Sequence, residues 1–380
     1  MTADWTQKAA QLAGRITDAK SRWREPISLA ARHLLVPNWW SQDQSGQWNL
    51  VHGADDEARW LDAAYADDSL VTSVNGLHAD QANPADHPEG LPTSSSTLPN
   101  LSLTMYRLAR IQDTDTVLDV GTGSGYACLL AGLRYPTADI TSVDIDPYIA
   151  AAAAGRLKEL GHQPNVAVCD ALGPLPGTYD RIIATTSFRT IPPSWLTALH
   201  TNGRLVTTIA GTTLLLAADK GSDGTAFGRI DYRWAGFMTA RHSPEGYPQQ
   251  PIWNEAFEAE PTRGRYPVIN LESARARDLQ AMFELAAPGV VHRYEQDEHT
   301  RTAYMLHSDG SWAVARSTGP DLPMVRQGGP RKLWDLLEEE RAQGLAFGGF
   351  PVRGAAAFIT ANGAIHLKNQ GWSKSIMPTR

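Results

Sequence analysis

The sequence predicts an α/β protein with a doubly wound sheet, followed by a smaller α+β domain. Three observations predict it. Apolar strand-like runs alternate with helical patterns from Thr116 to Ile209, a glycine loop joins the first strand of that series to the first helix, and hairpin signals replace the alternation beyond a Pro- and Gly-punctuated stretch at 242–268.

Residues 5–18 and 22–35 read as helices, the second ending at Val36-Pro37, while 41–56 and 73–97 are rich in Gly, Asn, Asp, Ser and Pro and read as loops. Residues 99–110 carry Leu101, Met105 and Leu108 at helical spacing. Strands follow at Thr116–Val120, Ile140–Asp144, Val166–Cys169, Arg181–Thr185 and Arg204–Ile209, with helices at Ala127–Tyr135, Tyr148–Leu160 and Ser194–His200. Strands and helices in this order make βαβ units and a parallel sheet covered on both faces. Thr213–Ala217 and Arg229–Trp234 read as closing strands. Past the boundary, Ala274–Ala286 is a helical pattern, and Ala303–His307 with Trp312–Arg316 flank Ser-Asp-Gly as a hairpin. Pro330 suits a first helical turn, Leu333, Trp334, Leu336 and Leu337 form an apolar face, and Gly344 reads as the stop. Ala357–Thr360 and Ile365–Lys368 flank Asn-Gly as a second hairpin. The expected division is an N-terminal helical and loop segment at 1–98, a ligand-binding domain at 99–245 and an accessory domain at 250–380.

Of 380 residues, 42% are hydrophobic and 20% charged, enough apolar surface for a core and too much for a disordered chain. A net charge of −7 without a Lys/Arg cluster gives no footprint for nucleic acid or an anionic membrane, and no apolar run is long enough to span a bilayer. The N-terminus is amphipathic and unlike a signal peptide. Two cysteines, Cys128 and Cys169, supply neither a disulfide framework nor a zinc site. A cytoplasmic protein is expected.

Residues 117–126, VLDVGTGSGY, run from strand through glycine loop to helix. Gly121, Gly123 and Gly125 let the backbone turn sharply and approach a ligand. Asp144 ends the second strand, nineteen residues after Gly125, where a carboxylate can accept from both hydroxyls of a ribose. Asp170 ends the third strand and can accept from the exocyclic amine of adenine. Asp119 beside the loop disfavours a pyrophosphate and suits the cationic amino-acid part of S-adenosylmethionine. That cofactor is favoured over a nicotinamide dinucleotide or an unliganded fold. The contacts expected are Asp119, Gly121, Thr122, Gly123, Ser124, Gly125, Asp144, Ile145, Asp170, Ala171 and Thr185, with Ser102 lining the site.

VLDVGTGSGY resembles the first motif of the protein-L-isoaspartate O-methyltransferase family. AARHLLVP (30–37), AAYADDSL (63–70), TYDRIIATTS (178–187) with IPPSWL, and NGRLVTTIAG (202–211) resemble further family segments in order, and STLPN (96–100) resembles its "TISxP" signature, with Thr97 at the serine position. The resemblance covers about residues 20–245 and implies a Rossmann-like S-adenosylmethionine-dependent methyltransferase fold. It departs at Cys169-Asp170-Ala171, where the family has "GDG", and at Asn202-Gly203-Arg204, where it has "GGR". LPTSSST, SVDIDP, YDRIIATTS, SDGSWA and VRQGGPRKLWD also resemble the methyltransferases paired with ATP-grasp ligases in maturing ester-cross-linked ribosomal peptides (graspetides); similar forms accompany lanthipeptides and lasso peptides. That resemblance implies methylation of an aspartate in a precursor peptide, with closure of the ester to an aspartimide, and an accessory domain that helps recognise the peptide.

An aspartate nucleophile is ionised above its ordinary pKa of ~3.9 and requires no general base. Hydroxyls can hold one of its oxygens without quenching the other, and Ser94, Ser95, Ser96 and Thr97 are the candidates. Thr97 also has a structural reading, as N-cap of the helix that Pro99 opens. Structural or solvent-facing roles are expected for His33, His78, His87, Asp180 and the run Glu338-Glu339-Glu340; Trp39-Trp40 suits core or peptide contact equally. Two rivals remain: repair of isoaspartyl proteins, and a non-catalytic binding or regulatory module that kept the fold.

Overall fold

The computed structural model describes residues 5–243 and 259–378. Helices α1 (Trp5–Ile16), α2 (Arg24–Leu29), α3 (Arg32–Leu35) and α4 (Glu57–Ala64) accompany an antiparallel sheet of β1 (Asn38–Gln42), β2 (Trp48–His52), β3 (Leu70–Val74), β4 (Leu77–His78) and β5 (Pro92–Ser96). The stretches 41–56 and 73–97, expected as loops, thus contain strands. β5 (PTSSS) shows no apolar alternation because polar pairing holds it: Ser94 and Ser95 lie opposite β3, Thr93 Oγ1 and Ser73 Oγ are 2.8 Å apart, and Thr72 Oγ1 donates to Ser94 Oγ at 3.0 Å. The pattern at 22–35 is two helices, interrupted at Ala30-Ala31.

Helix α5 (Pro99–Ala109) leads into the central sheet: β6 (Thr116–Val120), α6 (Tyr126–Arg134), β7 (Asp139–Asp144), α7 (Pro147–Glu159), β8 (Asn165–Val168), β9 (Tyr179–Phe188), α8 (Pro193–Ala198), β10 (Leu199–Ile209), β11 (Leu214–Lys220) and β12 (Ala226–Trp234). β6 to β10 pair in parallel in the order β8-β7-β6-β9-β10, a Rossmann-like doubly wound arrangement, and β11 and β12 continue it antiparallel. β6 shows why it reads as a continuous apolar run: Val117 packs into the core on one face and Leu118 and Val120 into the core on the other. Asn202 adopts a left-handed backbone (φ 64°), so the chain keeps its turn without the family's first glycine.

Beyond the described break come β13 (Thr262–Arg263), α9 (Arg277–Ala286), β14 (Val291–Gln296), β15 (Thr300–Leu306), β16 (Trp312–Thr318), β17 (Met324–Gly328), α10 (Leu333–Ala346), β18 (Ala356–Ile359), β19 (Ile365–Asn369) and β20 (Trp372–Ile376). β13 to β17 form a separate antiparallel sheet under α9 and α10. β18, β19 and β20 instead pair onto β12 and extend the central sheet to ten strands. Hydrogen bonding therefore divides 259–378 between two sheets; residues 244–258, which include the boundary at 245–250, lie outside the described residues. Gly344 is no stop: it sits inside α10, where a Cβ would run into the Phe350 ring. Glu338 and Glu340, expected in solvent, are buried. Glu338 accepts from Arg265 N and Nε and from Trp334 Nε1, and Glu340 pairs with Lys374. Trp39 and Trp40 are core residues. Among the described residues no helix is long and apolar enough to cross a membrane.

Glu284 of α9 tests the packing of this C-terminal part on the central sheet. Burial pushes its carboxyl up to about 7, opposed by the Gly289 N–H (3.0 Å) and by Arg189 (3.9 Å). A carboxyl whose folded pKa lies above its unfolded one gives stability that is present below the unfolded value and is lost as pH rises through the folded value. We expect Glu284→Gln to remove a pH-dependent loss of up to about 3 kcal/mol between roughly pH 4.5 and 7. Denaturant midpoints of both proteins at the two ends of that window check it; parallel pH curves would refute it.

Candidate active site

A cavity of about 280 Å³ opens at the carboxyl ends of β6, β7 and β9. Its floor is the glycine loop. Gly121, Gly123 and Gly125 all have positive φ, and a Cβ on Gly123 would sit 2.9 Å from the Ser95 carbonyl, so only glycine lets the loop pass beneath β5. Asp144, at the end of β7, accepts from Gly123 N at 3.1 Å and from Asp146 N at 3.1 Å. Burial raises its pKa; the Gly123 and Asp146 N–H groups and the charge of Arg241 lower it. Thr185 Oγ1 donates to the Gly121 carbonyl at 3.0 Å. Asp170 accepts from Leu172 N at 2.9 Å, and its other oxygen lies 2.9 Å from His242 Nδ1.

Thr122, Ser124, Ile145, Ala171 and Ser102 line the same cavity as Gly121, Gly123, Asp144, Asp170 and Thr185. Two expected contacts do not. Gly125 starts α6 against Ala153 and Leu157. Asp119 is fully buried beneath the loop, where Tyr106 OH (3.0 Å) and Ser142 Oγ (2.7 Å) donate to it; burial pushes its carboxyl up to about 6 against those two hydroxyls. A direct contact from Asp119 to a cationic ligand is thereby corrected. Its chain of hydroxyls, Ser142 to Thr122, ends in the loop instead.

The opposite wall is β5 and the start of α5. Ser94, Ser95 and Thr97 line it. Ser96 does not, because its hydroxyl turns away and accepts from Arg32 Nε at 3.2 Å. Nor is Thr97 an N-cap. Leu98 holds that position without a side-chain bond, and the first N–H groups of α5 are satisfied from elsewhere: Ser69 Oγ accepts from Leu98 N and Asp67 Oδ1 from Asn100 N.

Sequence reasoning missed Arg32. Its side chain is fully buried, and its guanidinium donates to the carbonyls of Ala64 (2.8 Å), Asp68 (2.8 Å) and Ser96 (3.0 Å), with longer bonds to those of Ala66 and Thr97. It also lies 5.2 Å from the centre of the Tyr126 ring, which lines the cavity. The segments AARHLLVP, AAYADDSL and STLPN, far apart in sequence, meet on this one residue. Tyr126 OH and Ser102 Oγ are buried and lack a hydrogen-bond partner among the described residues, and both residues line the cavity, where a polar ligand would satisfy them. The strap 236–241 after β12, including Arg241, completes the wall; no motif marked it.

The histidines take structural places. His33 is buried against Tyr65 OH at 2.8 Å and burial pulls its pKa down to about 4. His78, expected in solvent, is buried in β4, 2.9 Å from Asp146, the N-cap of α7. His87 is exposed, its Nδ1 3.1 Å from the Trp48 carbonyl. Asp180 accepts from Thr116 N and Oγ1 and joins β9 to β6. Among the described residues no group of three or more His, Cys, Asp or Glu is placed to hold a metal ion.

Residues 80–233 match the family model described as Protein-L-isoaspartate(D-aspartate) O-methyltransferase. The chain is 36% identical over 118 residues to the Protein-L-isoaspartate O-methyltransferase 1 of Anaeromyxobacter sp. (strain Fw109-5), covering 29% of this chain and 54% of that protein. It is 35% identical over 113 residues to the Protein-L-isoaspartate O-methyltransferase of Ignicoccus hospitalis, covering 28% and 53%. The chain thus spans about half the length of these curated relatives. A solved structure titled Protein-L-isoaspartate O-methyltransferase superposes at TM-score 0.49 and 16% identity over 97% of this chain and 98% of its own.

Proposed function

We propose that this chain is an S-adenosylmethionine-dependent carboxyl O-methyltransferase acting on an aspartate-type carboxylate of a peptide. The observation that carries the proposal is the cavity itself. A loop-and-carboxylate floor built from Gly121, Gly123 and Asp144 faces a wall of Ser94, Ser95 and Thr97, whose hydroxyls suit one oxygen of an acceptor carboxylate. Such an acceptor is already ionised near neutral pH and needs no base to take a proton. The match at 80–233 supports the same reading.

The residues present fit the cofactor. Asp144 is placed for a ribose diol, Ile145, Ala171 and Leu172 for the faces of a purine and Asp170 for its amine, while Ser102 and Tyr126 offer hydroxyls with no partner among the described residues. When bound, S-adenosylmethionine supplies an electrophilic methyl on a sulfonium. The chain's part is positioning, which can lower a barrier by roughly 7–11 kcal/mol when geometry is tight. Thr97 and Ser95 hold one oxygen of the acceptor carboxylate and leave the other to attack. Arg32, through the Ser96 and Thr97 carbonyls, fixes the backbone that carries them.

In the finer reading the acceptor is an aspartate in a ribosomally made precursor already cross-linked by an ATP-grasp ligase. The backbone nitrogen of the next residue then attacks the ester carbonyl, its proton leaves with the methoxide as methanol, and a five-membered aspartimide remains. The sheet β13–β17, beyond the matched segment, supports this reading by adding surface on which a peptide can be held. Repair of isoaspartyl proteins is the second reading, supported by the names of the matched family and relatives. Mass spectrometry after incubation with cofactor and either an isoaspartyl peptide or a cross-linked precursor separates them. A gain of one methyl followed by loss of methanol on the precursor supports maturation, turnover of the isoaspartyl peptide alone supports repair, and turnover of neither refutes both.

Since α5 is capped by Asp67 and Ser69, Thr97→Ala removes no cap. We expect kcat to fall about tenfold, the effect of losing one positioned hydrogen bond of ~1.4 kcal/mol, with the melting temperature within a degree or so of wild type. A fall in melting temperature with kcat intact would make Thr97 structural.

A further inference from the structure

Strands β12, β18, β19 and β20 bury one face and expose the other. Ala226, Ile230, Ala357, Ile359, Leu367 and Ile376 go into the core. The register lays two rows across the opposite face. Phe227, Phe358, His366 and Ser375 stand side by side, and two residues along each strand come Arg229, Ala356, Lys368 and Ser373. Phe227 is 61% exposed and Phe358 40%, and Arg229 and Lys368 are exposed as well. We propose that this face binds an extended acidic peptide segment of a partner, with its apolar side chains on the Phe227–Phe358 row and its carboxylates on Arg229 and Lys368. The proposal goes beyond the methyl-transfer reading and stands without it.

Charge chooses the partner. The carboxylates that share this face along β11 and β12 are already engaged. Arg204 Nη1 donates to Asp219, the residue opposite Phe227, at 2.6 Å, and Arg233 Nε donates to Asp231 at 2.7 Å. Arg229 and Lys368 have no ion pair or side-chain hydrogen bond among the described residues. The face therefore offers two unmatched cations beside two exposed aromatic rings. The His366 ring extends the aromatic row: it stacks on Phe358 with centroids 6.3 Å apart, while its Nδ1 lies 2.8 Å from Ser375 Oγ.

Spacing favours an extended segment. Residues on one side of an extended chain recur every ~7 Å, which is also the separation of two rows that lie two residues apart along a strand. A peptide with an apolar residue and an acid two positions apart can thus touch both rows at once. A second copy of this chain would set unmatched cations against unmatched cations, which repel. A nucleic acid calls for a longer basic stripe than two side chains, on a chain that is not acidic overall.

The test uses the full chain and fluorescently labelled probes followed by anisotropy. The acidic probe is a peptide of two Phe-Ser-Glu-Ser repeats, the basic probe has Lys in place of Glu, and the third is a single-stranded oligothymidylate. We expect wild type to bind the acidic probe about tenfold more tightly than the basic one. Phe227→Ser and Phe358→Ser should each weaken the acidic probe about tenfold, as loss of an aromatic anchor does. Arg229→Glu combined with Lys368→Glu should reverse the preference between the two peptides. Wild type and this charge variant should both sediment as they do without the probes. A preference that survives the charge reversal, an acidic probe indifferent to both phenylalanines, tighter binding of the oligothymidylate, self-association that the charge reversal changes, or no saturable binding of the acidic probe each overturns the proposal.

Discussion

Replacing Arg32 by alanine is expected to cost about 3–5 kcal/mol of stability and to abolish methyl transfer. The guanidinium satisfies the carbonyls of Ala64, Asp68 and Ser96, the Ser96 hydroxyl, and in longer bonds the carbonyls of Ala66 and Thr97. Each buried acceptor left unpaired costs about 1–3 kcal/mol, while removing a charge whose burial lowers its own pKa returns part of that sum. A loss of this size is a large share of the ~5–15 kcal/mol that holds a typical domain together. Arg32→Lys separates folding from positioning. Three donors replace five and lose the planar fork, so the lysine protein should fold while its kcat falls with the melting temperature partly restored. Calorimetric melting alongside single-turnover kinetics checks both variants. An Arg32→Ala protein that melts and turns over like wild type would show that the buried network does not set the wall.

Asp144→Ala is expected to weaken S-adenosylmethionine binding about 100-fold, or ~2.7 kcal/mol. Two effects add. The side chain loses its own place as acceptor for the ribose, and the loop loses the anchor at Gly123 N. Hydrogen bonds to a charged acceptor contribute about 1.5–3 kcal/mol each, so the estimate needs only one to two of them. Because burial raises this carboxyl, affinity in wild type should fall as pH is lowered and the acceptor gains a proton, and the alanine protein should lack that limb. Titration calorimetry across pH measures both. Unchanged affinity, or a pH limb retained in Asp144→Ala, would place the ribose elsewhere.

The residues that carry their own context were legible in the sequence. β6 to β10 announce themselves because apolar runs such as Val117-Leu118 and Ile182-Ile183 recur in alternation with helical patterns, and the loop because only glycine tolerates its backbone. The strand-end acids Asp144 and Asp170 were placed at the cavity by the same logic. What escaped depends on partners remote in sequence. β5 is a strand because β3 lies beside it, and nothing in PTSSS says so. His78, Glu338 and Glu340 are buried because Asp146, Arg265 and Lys374 come to meet them. Asp119 and Ser96 sat in the right segments, but their neighbours Tyr106, Ser142 and Arg32 take their polar atoms away from the cavity. Arg32 looked like any charged helix residue, since a guanidinium paired with main-chain carbonyls and one hydroxyl leaves no charge partner to find.

The order in which the chain is made now matters. β12 leaves the ribosome at Trp234, yet the strand that covers its open edge begins only at Ala356 and the last of the three ends at Ile376. Until then the nascent protein carries the cavity-bearing half of the molecule with a bare β edge, the kind of surface that recruits foreign strands. Closing it joins residues far apart along the chain, which slows folding and keeps that edge exposed longer. Strand β20 is therefore a lock turned late: a ribosome that stops short of Ile376 releases the cavity on a sheet that still lacks its outermost described strand.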